Sequence, residues 1–163
     1  MAVEIFFKLD GVDGESEKDS HVKEMEVHGF SLSADNQSSV AFGTGSGAGK
    51  VDISGLHLQR QVDNASTKLF QLCCNGKHTA KGKLTVREAG GDKPVDFLTY
   101  DLEEVFIEHI SWGGTAGGGK PSENVKVTFK KIVQTYYPQL ATGAQGTKMV
   151  GGWDIGKGTA AAA

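Results

Sequence analysis

Apolar and polar residues alternate with a period of two through much of this chain, and the longest such run is Glu123–Gln139 (ENVKVTFKKIVQTYYPQ). Val125, Val127, Phe129 and Val133 fall on odd positions, and Lys126, Thr128, Lys130 and Gln134 on even ones. That spacing predicts one long strand with an apolar face and a wet face. Pro138 has no backbone donor and should end the pairing. A strand of this length needs partners of similar length. Val3, Ile5, Phe7 and Leu9 predict a first strand, followed by a polar, turn-rich loop at Asp10–Ser20. Met25 and Val27 share one face and Phe30 and Leu32 the other, so a bulge or bend is expected at Gly29. The phase slips again at Gly55, between Val51/Ile53 and Leu56/Leu58/Val62, and at Glu103-Glu104 within a long strand from Val95 to Trp112. Leu84 and Val86 belong to a further strand, and Gly90-Gly91 to a turn. Only Thr67–Asn75 carries helical spacing, with Leu69, Phe70, Leu72 and Cys73 as its stripe, Ser66 or Thr67 as cap and Gly76 as stop. After Gln139 the pattern ends, leaving Trp153 as one anchor.

About seven strands and one short helix predict a mainly β chain: an antiparallel barrel or two-sheet sandwich with the helix at its side. Residues 1–155 are expected to form one domain and 156–163 a flexible tail. The alanines at 160–163 read as low complexity or an expression remnant and stand outside the fold argument. There is no internal repeat. Glycine, at 23 of 163 residues, is concentrated in turns and in two loops, Ala41–Gly49 and Gly113–Gly119. The formal charge of −3 provides no basic field, so neither nucleic acid nor an anionic membrane is an expected partner.

The candidate chemistry is sparse. GTGSGAGK (Gly43–Lys50) superficially suggests a phosphate loop, but Thr44 stands where a glycine is required and Val51 where Ser or Thr is required. A strand, not a helix, is expected to follow, so the segment reads as a mobile surface loop. The five histidines show no metal-ligand spacing, and there is no Cys-x-x-Cys. Cys73 with His78 and Asp63 is an imaginable nucleophilic set, but a cysteine on a helical stripe is more simply packing. Cys73 and Cys74 are adjacent, which rarely permits a disulfide, and point to folding in a reducing cytosol. Glu103 and Glu104 point to opposite faces and make no acid–base pair. No catalytic, cofactor or metal residue is assigned. MAVEIFFKLD has no basic n-region or long apolar run, so a cleaved signal is not expected and any export would bypass one. No run reaches transmembrane length. Binding or structure remains, and long strands in a small domain leave edges that invite a second chain.

Several stretches together resemble the haemolysin-coregulated proteins (Hcp), inner-tube subunits of bacterial type VI secretion. They are Gly11–Ser16 (GVDGES) with His21, Glu26–Ser31 (EVHGFS), Gly76-Lys77-His78, Leu84–Gly91 (LTVREAGG), ENVKVTF, YYPQ and Gly152-Trp153-Asp154. They keep the family's order over nearly the whole chain. Two departures are Glu88, where a basic residue is common, and the vicinal cysteines. The resemblance implies a small barrel with a helix on its side and six copies closing into a ring. It also implies that rings stack into a tube driven by a contractile sheath behind a spike of valine–glycine-repeat protein, with effector proteins carried inside. It places the Phe30–Ser31 step on an inner strand, so Ser31 is expected to face the lumen and touch cargo. Parity agrees, since Ser31 faces away from the core if Phe30 and Leu32 pack into it. A glycine-rich loop is entropically costly to order alone. Gly43, Thr44, Gly45, Ser46, Gly47, Ala48, Gly49 and Lys50 are therefore expected to contribute to ring stacking. The alternatives are a phage-type tail-tube protein or a free-standing enzyme or secreted effector.

Overall fold

A computed structural model of the chain describes residues 2–38 and 48–162. Among these are twelve strands and one helix: β1 (Val3–Leu9), β2 (Met25–Val27), β3 (Gly29–Ser31), β4 (Ala34–Ser38), β5 (Ala48–Ile53), β6 (Leu56–Gln61), α1 (Ser66–Asn75), β7 (Thr79–Glu88), β8 (Val95–Gly113), β9 (Ser122–Thr128), β10 (Lys131–Tyr136), β11 (Met149–Asp154) and β12 (Thr159–Ala160). One path runs β12-β11-β10-β8-β7-β1-β2, a second runs β3-β6-β9-β8, and β4 pairs only with β5. Every strand pairing is antiparallel. The molecule is a two-sheet sandwich rather than a closed barrel.

Strand β8 belongs to both sheets because it bends. Residues Leu98–Glu103 lie beside β10, and Phe106–Gly113 beside β9. Between them Glu104 adopts φ 55°, a left-handed conformation at which strand parity slips. The slip turns both Leu102 and Val105 into the core, where each is 1% exposed. The segment Glu123–Gln139 follows the same bend and is therefore two strands, not one. It breaks at Phe129–Lys130, where Lys130 N–H donates to the Glu103 carbonyl at 3.0 Å. The break also resets parity, so that Ile132, rather than Val133, joins the core of Val125, Val127 and Phe129.

The expected slip at Gly29 is a change of sheet rather than a bulge within one. β2 pairs with β1, β3 pairs with β6, and the chain crosses between sheets at His28. Gly55, at φ 80°, plays the same part between the β4–β5 ribbon and β6. On β6 the alternation is complete: Leu56, Leu58 and Arg60 are buried while His57, Gln59 and Gln61 are exposed. Helix α1 closes the core with Ala65, just before its start, and Leu69, both 1% exposed. Its stripe therefore differs from the expected one: Leu72 and Cys73 are half-buried, and Phe70 points outward at 49% exposure. Gly76 terminates it in the left-handed conformation, φ 65°, donating its N–H to Leu72 O. Neither Ser66 nor Thr67 caps it. Asp63 Oδ1 accepts from Ala65 N–H at 2.9 Å, and Ser66 Oγ accepts from Asp63 N–H at 3.0 Å.

The region after Gln139 is also structured. β11 pairs with β10 along its whole length, Trp153 opposite Ile132, and β12 pairs with the Trp153–Asp154 end. Gly152 permits this closeness, since a Cβ there would meet the Ile132 carbonyl at 3.0 Å and Val133 Cγ2 at 2.9 Å. The 156–163 run, expected as a tail, thus contributes a two-residue strand at Thr159–Ala160.

Candidate interaction surfaces

Ser31 is exposed on β3, while Phe30 and Leu32 pack against the core and Phe30 meets Tyr100 edge-on at 5.9 Å. The parity expectation for this step holds. Cross-strand register carries Ser31 to His57, His57 to Lys126 and Lys126 to His109. The next row outward is Gly29, Gln59, Asn124 and Ser111. The outer face of the β3-β6-β9-β8 sheet is thus built of hydroxyls, amides and imidazoles. Lys126 Nζ donates to Glu108 Oε1 at 3.1 Å, so the opposite charges at its β8–β9 margin neutralise each other locally.

The β4–β5 ribbon stands off this sheet. Ala34–Gln37, Gly49, Lys50 and Asp52 are exposed, and Gly49 lets the two strands close, since a Cβ there would overlap the Gln37 carbonyl. Gly43–Gly47 of the expected stacking loop lie outside the described residues. Ala48, Gly49 and Lys50 belong to β5 rather than to a loop, because they pair back toward β4. Lys50 therefore sits in a strand and does not open a helix, as a phosphate loop would require.

A buried ionic cluster that period-two reasoning missed lies at the far end of the same sheet. Arg60 occupies an inward position on β6, and its Nη1 donates to Glu123 Oε1 at 2.8 Å, with both side chains 0% exposed. Arg60 Nη2 lies against Asp63 Oδ1 as an ion pair, and Met25 Sδ lies 3.8 Å from Nη1. The second Glu123 oxygen accepts the Trp112 indole N–H at 2.8 Å. The cluster ties β6, β9, β8 and the start of α1 together. Its sequence signal was the inward parity of Arg60 and Glu123 themselves, at positions where apolar residues are the default.

On the opposite sheet, the GVDGES loop folds over the outer face of β1. Gly14 N–H donates to Lys23 O at 2.8 Å, and Lys23 N–H to Ser16 O at 2.7 Å. The loop brings His21 flat onto Phe6, ring centres 4.4 Å apart and 1° from parallel, which buries Phe6 although it lies outside the core. His21 Nδ1 lies 2.8 Å from Glu24 Oε2, and Nε2 lies 3.0 Å from Asp96 Oδ1. The Arg87 guanidinium is 5.0 Å from the Phe6 ring centre and bonds Glu4 at 2.8–2.9 Å. Burial raises the Glu4 pKa, but hydrogen bonds from Arg87 and Lys18, with their charges, outweigh it and hold the carboxyl below its usual value.

The imagined nucleophilic set is not assembled. Asp63 precedes α1, His78 follows it against Phe106, and the ten-residue helix separates them by about 15 Å. Among the described residues no group of three or more His, Cys, Asp and Glu could hold a metal ion. No described helix is long and apolar enough to cross a membrane.

The profile of the family described as "Type VI secretion system effector, Hcp" matches residues 6–136. Protein hcp1 of Pseudomonas aeruginosa is 36% identical over 156 residues, covering 95% of this chain and 96% of that protein. A solved type six secretion system protein superposes with a TM-score of 0.92 at 32% identity, covering 98% of this chain and all of its own. Hcp1 from Salmonella typhimurium superposes with a TM-score of 0.81 at 30% identity, covering 99% of this chain and all of its own. Profile, identity and fold agree over nearly the whole length: the chain belongs to the Hcp family of type VI secretion system proteins.

Proposed function

We propose that this chain is the inner-tube subunit of a type VI secretion system, with a structural rather than catalytic part. Six copies close into a ring, and rings stack into a tube through the loop at 43–50. The contractile sheath drives the tube out behind the valine–glycine-repeat spike. The protein is made in the cytoplasm and exported with the tube. The lumen carries small effector proteins on the outer face of the β3-β6-β9-β8 sheet, with Ser31 in contact.

The observation that carries this reading is that four-stranded sheet. It is wet on one face, packed on the other, and without a strand partner at either edge among the described residues: β3 pairs only with β6, and the Phe106–Gly113 half of β8 pairs only with β9. Joining unlike edges head to tail hides them and closes when the rotation closes. The polar faces of successive copies then form one hydrated wall. Light scattering tests it: six copies of 17.2 kDa give about 103 kDa, and negative-stain images should show six-fold rings. A monomer at high micromolar concentration, or another ring number, refutes it.

A further inference from the structure

The two sheets leave one seam open. Phe30 on β3, the edge strand of the shorter sheet, reaches Tyr100 of β8. The inner face of the longer sheet runs on past Tyr100 to Gln134 of β10, and its next row joins Leu102, Ile132 and Trp153. Between that face and the root of the β4–β5 ribbon lies a groove of about 330 Å³, lined chiefly by Leu32, Ile53, Tyr100, Ile132, Gln134 and Trp153. Its floor is held in place, since Gln134 Nε2 donates to the Tyr100 hydroxyl at 2.8 Å. Leu32, Ile53, Tyr100 and Ile132 all pack against the core, so the groove opens onto apolar surface that water solvates poorly.

The opposite edge of the shorter sheet carries side chains suited to fill it. Trp112 takes an inward position on β8, in register with the buried Glu123, yet is 46% exposed. Phe70 on α1, 49% exposed, meets it edge-on with ring centres 5.4 Å apart and planes at 70°. The Trp112 indole is fixed by Glu123, whose other oxygen is held by the fully buried Arg60. Two large aromatics, half exposed and held in one orientation by a buried network, have the make-up of an interface hot spot.

Direction, face and level agree with one copy meeting the next. Successive strands β3, β6, β9 and β8 alternate in direction, so the β3 of a second copy can continue the sheet antiparallel to β8. In a continuous sheet the core-facing sides coincide, which puts Phe70 and Trp112 on the side of the next copy's groove. Trp112 is level with Arg60, and Leu32, one residue past Ser31, comes to the level of Leu56. That offset of four residues is roughly 13 Å along the strands, against roughly 19 Å across four of them. It corresponds to a strand tilt of about 35°, within the range at which a sheet closes on itself.

We propose that Phe70 and Trp112 of one copy plug the Leu32–Tyr100–Trp153 groove of the next copy around the ring. This rests on the six-copy reading and goes beyond it by naming the contact: the helix end of each copy closes the open seam of its neighbour, so the apolar core is complete only in the ring.

The test uses the full chain with Cys73→Ser and Cys74→Ser as parent, and adds Phe70→Cys and Ala34→Cys, Ala34 being an exposed lip of the groove. Under a mild oxidant, non-reducing gels should show a ladder that ends at six copies. The two single-cysteine chains mixed in equal amounts should give dimers and nothing larger. Phe70 lies outside the core, so Phe70→Glu leaves the fold intact; in sedimentation velocity it should weaken ring assembly at least about tenfold, while Phe70→Tyr assembles like the parent. Rings of parent mass that give no ladder, or Phe70→Glu assembling as tightly as the parent, overturn the plug and leave the ring in place. A parent that stays monomeric removes the ring reading and the plug with it.

Discussion

Arg60 and Glu123 sit where a sandwich core ordinarily holds aliphatic groups. Charges with no water contact are costly unless partner and hydrogen bonds are both in place. Here Arg60 has Glu123 and Asp63, and Glu123 has Arg60 and Trp112. Removing one partner strands the other, so Glu123→Ala should lose about 3–5 kcal/mol, measured by urea denaturation of the assembled protein. A paired Arg60→Met, Glu123→Leu change should lose much less, because it leaves no orphan charge. Glu4 makes a separate prediction. Its carboxyl titrates lower in the folded chain than in the unfolded one. The stabilisation is thus fully present above the ordinary carboxylate pKa and disappears as pH falls through the lower folded value. Glu4→Gln should therefore flatten the acid limb of a melting-temperature profile and shift the neutral plateau only slightly. An acid limb identical to that of the parent would place its cause elsewhere.

Among the elements, β8 and the β4–β5 hairpin differ most in what holds them. β8 has partners on both sides through its first half and a helix packed along it. Among the described residues the hairpin's strands pair only with each other, with a register shift between Asn36 and Ser38, and Ile53 alone packs against the core. Two-stranded ribbons are marginal alone in water, so the hairpin gains most from a neighbour. Deleting Gly43–Gly47 should leave the ring mass unchanged and abolish tubes in negative stain. Tubes formed as readily as by the parent would show that the segment has no stacking role. The helix is the other dependent element. At ten residues it is too short to persist alone, and Leu69 with Ala65 anchors it to the core.

For the whole molecule, symmetry multiplies small changes. In the proposed six-copy ring a single substitution on the wet face would be repeated six times around the channel. Ser31 contributes a small hydroxyl beside His57 and leaves space. Ser31→Gln should keep the hexamer and remove stabilisation of a bound effector, read as its half-life when co-expressed. Unchanged effector half-life with an intact ring would take Ser31 out of cargo contact.

Alternation alone determined most of the inward set: Leu56 and Leu58, Leu102 against Val105, Val125 and Val127. Glycine and parity together located the corners at Gly29, Gly55 and Glu103-Glu104. Side-chain period and backbone freedom are local properties, so one strand reveals them. Local pattern does not reveal which sheet a strand joins. Glu123–Gln139 looks continuous because its alternation persists up to a corner imposed by the bend of β8. Phe6 looks solvent-facing until His21, fifteen positions away, lies on it. Met149–Asp154 carries no period-two alternation, since Met149 and Val150 are adjacent and Gly151 and Gly152 are there to let backbones approach. Arg60 and Glu123 read as surface residues because composition assigns charge to water, and only their meeting across two strands makes burial tolerable. Long-range pairing decides these cases because the energy of each residue depends on a partner the local sequence does not contain.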